Sequence, residues 1–371
     1  MRETIVSEQP TASVATSLRF PLPDLGSDRV LKYIAGIRPF RTGRVRIEAE
    51  ELGDQTLIHN YGHGGAGVTL SWGSAAEVVR LVESRIESAK RANIRIAILG
   101  AGVIGLTAAY ELLRAGFHVR IYAKATLEHT TSWLAGAQWA PSLVARGYLP
   151  GDADFFTRLL TTSHQRFSAL ADEGDWGVFR RPNLVVGDHR EGGGGLNLIP
   201  SHLIPPVEWH DELPLSGVSL PGRIYHTMLI EPPIFLPRLV CEVGLLGGET
   251  EQRTFASLDD VQELDEKIII NCLGLGARDV VDDPRLVPMR GQLVYLTPQD
   301  LPYLLSHRDG YIFPRSDAVL LGGTVERGVD EPVPDDTACQ RILSRNRRLF
   351  EADVAAVLRQ TRTLRSAQRG V

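Results

Sequence analysis

The strongest constraint in this chain is IRIAILGAGVIG, residues 94–105. A wholly apolar strand core of the parallel-sheet type runs into Gly100-x-Gly102-x-x-Gly105, and residues from Leu106 to Arg114 continue as an apolar helix. Gly116 ends that helix and HVRIYA (118–123) gives a second strand, so the segment reads as a βαβ unit. Glycines at these places permit a tight turn and close backbone approach. The helix N-terminus then offers free N–H groups and a favourable dipole to a pyrophosphate. A dinucleotide is the expected ligand of Gly100, Gly102, Val103, Ile104 and Gly105. One departure stands out: the acidic residue that usually ends the second strand and holds a ribose hydroxyl is replaced by Ala123-Lys124. That weakens a plain NAD assignment.

A second glycine-rich run, LIHNYGHGGAGVTLSWGSA (57–75), comes before the first. Around it, VLKYIAGIRPFR (30–41) runs into the alternating RVRIEAEEL (44–52), which predicts a strand. SAAEVVRLVESRIESAKR (74–91) has helical spacing at Ala76, Val79, Val82 and Ile86. Residues 1–28 are polar and read as a flexible or surface-wrapping arm. The Trp-, Pro- and Gly-rich stretch 141–223, with an EGGGG tip at 191–195, predicts a sheet-based region with long loops. Further on, 237–248 reads as a helix with a glycine stop, and 267–277 as a buried strand ending at glycines. Segments 291–296, 310–315 and 318–323 are strand-like, and 336–350 and 351–360 helical.

Composition narrows the function classes. The chain has 371 residues, 43% hydrophobic and 23% charged, with a net charge of −5. That is an ordinary soluble protein long enough for two domains, with no electrostatic pull toward nucleic acid or anionic membrane. No apolar run reaches the roughly 18 residues of a spanning helix. Its 3 cysteines (Cys241, Cys272, Cys339) lie far apart, so neither a metal site nor a disulfide framework is expected. The N-terminus lacks the apolar core of a secretory signal, and a cytoplasmic enzyme is expected.

The run at 57–75 resembles the signature of the D-amino-acid oxidase family of flavoenzymes. The resemblance extends through GIRPFR (36–41), TTSWLAGAQWAP (130–141), YHTMLIEPPIFLPRL (225–239), INCLGLGAR (270–278), RGQLVYL (290–296) and GYIFPR with AVLLGG. In that family the dinucleotide motif lies near the N-terminus and the signature near the C-terminus. Here the order is reversed, which suggests a circular permutation whose joint is the short link Ala92-Asn93. The resemblance implies an α/β fold with a Rossmann-like FAD-binding domain (44–140 and 232–278). It also implies a mixed or antiparallel-sheet substrate domain (30–43, 141–231 and 279–371), with 1–29 as an N-terminal arm.

By the same resemblance, Arg38 grips a substrate carboxylate, Tyr311 shares it, and the Gly65 carbonyl accepts from the substrate amine. A guanidinium fork suits that task because it forms two parallel charge-assisted bonds. His307 stands where relatives carry a mobile residue over the site. Gly64, Gly65, Gly67, Val68 and Thr69 surround the flavin ring. Lys124, Thr130, Thr131, Ser132, Gly136, Ala137, Trp139 and Gly274 complete the expected FAD contacts. His59 and His63 read as structural, Ala140 hints at a more apolar or roomier pocket, and Arg308 or Arg315 could receive an acidic side chain.

The implied reaction is oxidative deamination of a small D-amino acid by hydride transfer to flavin N5, with oxygen as the second substrate. A homodimer is left open. Glycine/sarcosine-type, D-aspartate and specialised amine oxidases stay as alternatives within the fold. A flavin-binding protein without turnover and an NAD-dependent dehydrogenase stand outside that class.

Overall fold

Two sheets organise the chain, and each recruits strands from widely separated stretches. The computed structural model describes residues 19–86, 91, 93–144, 152–187, 199–203 and 205–351. The smaller sheet has six strands in the order β2 (Arg46–Leu52), β3 (Gln55–Tyr61), β10 (Ile268–Asn271), β4 (Arg95–Leu99), β5 (His118–Ala123) and β9 (Glu249–Gln252). All its neighbours are parallel except β2 on β3. Every residue of β10 is buried, as are four of the five in β4, which is why both read as unbroken apolar runs.

The larger sheet has nine strands. Along its path lie β1 (Val30–Arg41), β11 (Leu286–Leu296), β14 (Val319–Gly322), β13 (Gly310–Pro314), β12 (Leu304–His307), β6 (Val178–Val186), β8 (Gly222–Ile230) and β7 (Glu208–His210). Off the path, β15 (Glu326–Arg327) pairs with β11. The predicted strand region 30–52 is therefore two strands that enter different sheets. β1 pairs antiparallel along β11, with Gly36 opposite Gly291 and Arg38 opposite Met289.

Seven helices are described: α1 (Gly67–Glu83), α2 (Val103–Arg114), α3 (Ala153–Glu173), α4 (Pro232–Leu245), α5 (Leu258–Gln262), α6 (Ala277–Val280) and α7 (Asp336–Glu351). The helix expected over 74–91 begins earlier, at Gly67, and ends at Glu83. Val68 through Ala75 are all buried, so the first turns have no polar face and the helical period surfaces only further along. Residues 87–90 and 92 lie outside the described set, and with them part of the expected 92–93 link.

The stretch 141–223 also departs from expectation, because the 21-residue α3 occupies its centre. Phe156, Leu159, Leu160, Ser163, Phe167 and Leu170 are its buried face, a helical spacing masked by the surrounding Trp, Pro and Gly. The helix over 237–248 begins sooner, at Pro232, with prolines in its first turn where a missing N–H costs nothing. The glycine tip at 191–195 and the helix over 351–360, beyond its first residue, lie outside the described residues.

Of the arm, residues 19–29 are anchored on the larger sheet's side. Phe20 bridges Leu215, the Tyr303 hydroxyl donates to the Pro21 carbonyl at 2.7 Å, and Arg347 Nε donates to the Leu25 carbonyl at 2.6 Å. Among the described residues no helix is long and apolar enough to cross a membrane.

Candidate active site

A cavity of about 1540 Å³ lies where the β3, β4, β5 and β10 ends meet β1, β12 and β13. It exceeds the roughly 300–1,000 Å³ usual for one drug-sized ligand, leaving room for a dinucleotide and a small substrate together. The carboxyl ends of parallel strands are where open α/β sheets take ligands.

The dinucleotide end is set by backbone crowding. Gly100 has φ +107°, and a Cβ there would lie 2.5 Å from the Cys272 carbonyl oxygen. A Cβ on Gly105 would lie 1.9 Å from the Gly100 carbonyl oxygen. Gly105 does not border the cavity; it lets α2 close onto its own turn. Gly100, Gly102, Val103 and Ile104 do border it, with Gly274 across from them on the β10 side. Gly102 gives α2 no side-chain cap, and Ser132 Oγ accepts from the Val103 N–H at 3.0 Å. Thr130, Thr131 and Ser132 line the wall here, and Lys124 takes the end of β5.

The second glycine-rich turn supplies another wall, through Gly64, Gly65, Gly67, Val68 and Thr69. Gly64 has φ +56°, and a Cβ there would lie 2.7 Å from the Leu143 carbonyl oxygen. Thr69 Oγ1 donates to the Ala140 carbonyl at 2.9 Å, tying α1 to the segment that presents Gly136, Ala137 and Ala140 to the cavity. The Gly65 carbonyl, expected to face a substrate amine, accepts from Ser142 Oγ at 3.2 Å, which leaves its second lone pair.

Trp139 is a correction. It does not border the cavity; its ring is buried edge-on to His164, with centroids 4.8 Å apart. His63 is buried with Nε2 2.9 Å from Ser74 Oγ, and burial pushes its pKa down to about 3, so it stays neutral. His59, likewise read as structural, is fully buried between Glu50 and Asn271.

Sequence reasoning missed Asn60. It is 1% exposed, borders the cavity, and among the described residues its side chain meets only the weakly bonding Cys272 thiol. A buried amide left in that state costs about 1–3 kcal/mol unless a ligand satisfies it. The N-terminus of α2, of which Ser132 takes only the Val103 N–H, the glycine-lined walls and the weakly partnered Asn60 amide all suit a flavin dinucleotide. The only signal in the sequence was a polar residue just before the glycine-rich turn, in a strand that also carries Gln55, Thr56 and His59.

At the other end, Arg38 projects from β1. Nη1 donates to the Thr324 carbonyl at 3.2 Å, and no carboxylate pairs with it among the described residues. Tyr311 stacks on Phe313 with centroids 4.2 Å apart. Burial raises the Tyr311 pKa, while the adjacent Arg38 guanidinium pulls it back, so the two polar groups share one corner.

His307 also borders the cavity, but Nε2 lies 3.0 Å from Asn346 Oδ1 and Nδ1 accepts from the Asp309 N–H at 3.4 Å. Burial lowers its pKa despite the Asn346 bond, leaving a neutral ring with both nitrogens engaged. Arg315 is fully buried. It pairs with Asp317 at 2.6 Å and donates to the carbonyls of Trp133 and Ala135 at 3.2 and 3.0 Å. It braces the wall and is not free to meet a substrate. Arg308 borders the cavity at its exposed rim.

Residues 95–369 match the family described as DAO, FAD dependent oxidoreductase. The D-amino-acid oxidase of Streptomyces coelicolor is 30% identical over 261 residues, covering 67% of this chain and 76% of that protein. The D-amino-acid oxidase of Rubrobacter xylanophilus is 31% identical over 274 residues, covering 69% and 77%. The D-aspartate oxidase of Homo sapiens is 29% identical over 269 residues, covering 68% and 74%. Among solved structures, glycine oxidase from Geobacillus kaustophilus aligns at a TM-score of 0.51 and 20% identity, over 68% of this chain and 77% of that one. Iminodiacetate oxidase from Chelativorans sp. BNC1 aligns at 0.52 and 17%, with the same coverage. The chain belongs to the DAO family of FAD-dependent oxidoreductases.

Proposed function

We propose that this enzyme oxidises a D-amino acid to the imino acid at the expense of oxygen, which becomes hydrogen peroxide, and that water then hydrolyses the imine to the 2-oxo acid and ammonia. The observation that carries this reading is the Arg38 guanidinium, with no carboxylate partner among the described residues, beside the Tyr311 phenol at the far end of a cavity whose other end suits a flavin dinucleotide. The chemistry supplied by bound FAD is two-electron oxidation of the C–N bond, with oxygen as final acceptor. Arg38 forks the substrate carboxylate and the Tyr311 hydroxyl donates to it, which fixes the position of Cα. The Gly65 carbonyl takes an N–H of the amine through its remaining lone pair. No side chain is assigned as a base: His307 has both nitrogens engaged, and a neutral amine needs none.

Anaerobic mixing of the flavin-loaded enzyme with D- and L-amino acids tests this through bleaching of the flavin. Bleaching by D-isomers alone is expected, and bleaching by L-isomers alone would overturn the assignment. A preference for acidic D-amino acids is the alternative, and Arg308 at the cavity rim favours it because Arg315 is already committed. Arg308→Ala should then lower kcat/KM for D-aspartate and not for D-alanine.

We also infer that residues 30–86 are the family's C-terminal portion carried to the front. The support is that the family match begins at residue 95, while Arg38 and the glycine signature come before it.

A further inference from the structure

The Arg38 guanidinium is laid on a surface built for it. Gly291 of β11 lies directly beneath, and a Cβ there would stand 2.3 Å from both Nη1 and Nη2. Among the described residues the fork gives one N–H, from Nη1, to the Thr324 carbonyl at 3.2 Å, and it also reaches the Tyr311 phenol. Thr324 is fixed in turn by its own hydroxyl. That oxygen donates to Glu326 Oε1 at 2.7 Å and accepts from the Gln292 N–H at 3.0 Å. Glu326 Oε2 accepts from Arg290 Nε at 2.7 Å, and Arg290 also reaches the carbonyls of Glu331 and Val333 at 3.4 and 3.2 Å. Burial works against the Glu326 charge, but the Thr324 and Arg290 bonds hold its carboxyl below the usual range.

We propose that Gly291, Thr324 and Glu326 form a seat that fixes the plane of the Arg38 fork, making them positioning residues for recognition of the substrate carboxylate. The proposal rests on Arg38 as the carboxylate anchor. A guanidinium on a long side chain loses rotamer freedom when it binds, and a seat that removes this freedom beforehand leaves more of the interaction for the ligand. Gly291 sets how low the fork lies. Thr324 and Glu326 set its rotation, through one carbonyl. Because they act on geometry and not on charge, their loss should weaken carboxylate binding and change the chemical step far less.

The test uses the flavin-loaded enzyme with benzoate, a carboxylate that has no oxidisable amine, its binding followed by the flavin absorption spectrum. KM and kcat are measured with the fastest D-amino acid. Gly291→Ala should raise the benzoate Kd and the KM about tenfold or more, and Thr324→Val several-fold, with a much smaller change in kcat. Thr324→Ser, which keeps the hydroxyl, should restore binding. In an Arg38→Leu background neither substitution should matter further, because the group they position is gone.

Unchanged benzoate Kd in both variants, while Arg38→Leu binds weakly, overturns the seat and leaves the anchor standing. Unchanged Kd in Arg38→Leu itself overturns the anchor and the seat with it. Should Gly291→Ala fail to fold, Thr324→Val and its serine rescue decide the matter.

Discussion

The two glycine-rich turns border one cavity but use their sequence differently. At 100–105 the glycines answer backbone crowding: Gly105 against the Gly100 carbonyl, and Gly100 against that of Cys272. Nothing polar in the motif's side chains is needed, so spacing alone announces it. At 60–69 the turn combines glycines with Asn60, His63 and Thr69, all buried polar residues with separate duties. His63 is locked to Ser74, Thr69 ties α1 to the next wall, and Asn60 borders the cavity with only the Cys272 thiol beside it. A motif that works by backbone is portable and easily read, whereas one that works by side chains is specific and needs its surroundings to be understood.

Substitutions can break or sharpen that contrast. The largest effect should come from Arg38→Leu, at the residue before the second turn that is proposed to hold the substrate carboxylate. Loss of a charge-assisted pair, about 2–4 kcal/mol, should raise KM roughly 30- to 900-fold while the bound flavin spectrum persists. An unaltered KM would remove Arg38 from the site. Gly105→Val should act on the other ligand, because its side chain must displace the backbone of the first turn. A cost of about 3 kcal/mol is expected, read as weakened FAD in fluorescence titration of the apoprotein and a lower Tm.

Asn60→Leu should weaken FAD by about tenfold, since it deletes the amide that a cofactor would satisfy. Equal FAD affinity in Asn60→Leu would place the second turn with the first, as a backbone device. The smallest effect is on pH. His63 is buried neutral, so protonation favours the unfolded chain as pH falls below about 6.5. Burial opposes the charge of Asp283, but its bonds from Arg41 and Tyr61 win and depress its pKa. Its stabilising contribution is full above about pH 4 and is lost below. Urea midpoints measured against pH should fall in two stages, and His63→Gln should shrink only the upper one, to which His307, whose pKa burial also lowers, contributes as well.

Much of this was legible beforehand for physical reasons. The β4–α2–β5 unit declared itself because strands buried on both faces are continuously apolar and α2 has regular spacing. Arg38 and Tyr311, expected to share a carboxylate, do meet in one corner. The start of α1 escaped notice because a helix buried all round carries no period. Helix α3 was overlooked because composition outweighed a spacing that was present. Trp139 was placed with the cofactor from its neighbours in sequence, but its ring turns away to His164. The seat under Arg38 joins Arg290 and Gly291 to Thr324 and Glu326, residues of separate strands and loops that only β11 and its partners bring together.

Residues 42–45 carry the chain from the larger sheet to the smaller, so one short connection followed by a hairpin separates Arg38 from Asn60. On the proposed roles of Arg38 and Asn60, one continuous stretch of backbone would hold both ligands of the cavity. Any coupling between their affinities that this shared stretch produces is reciprocal. Whatever factor a carboxylate on Arg38 adds to the retention of FAD, FAD must return to the carboxylate.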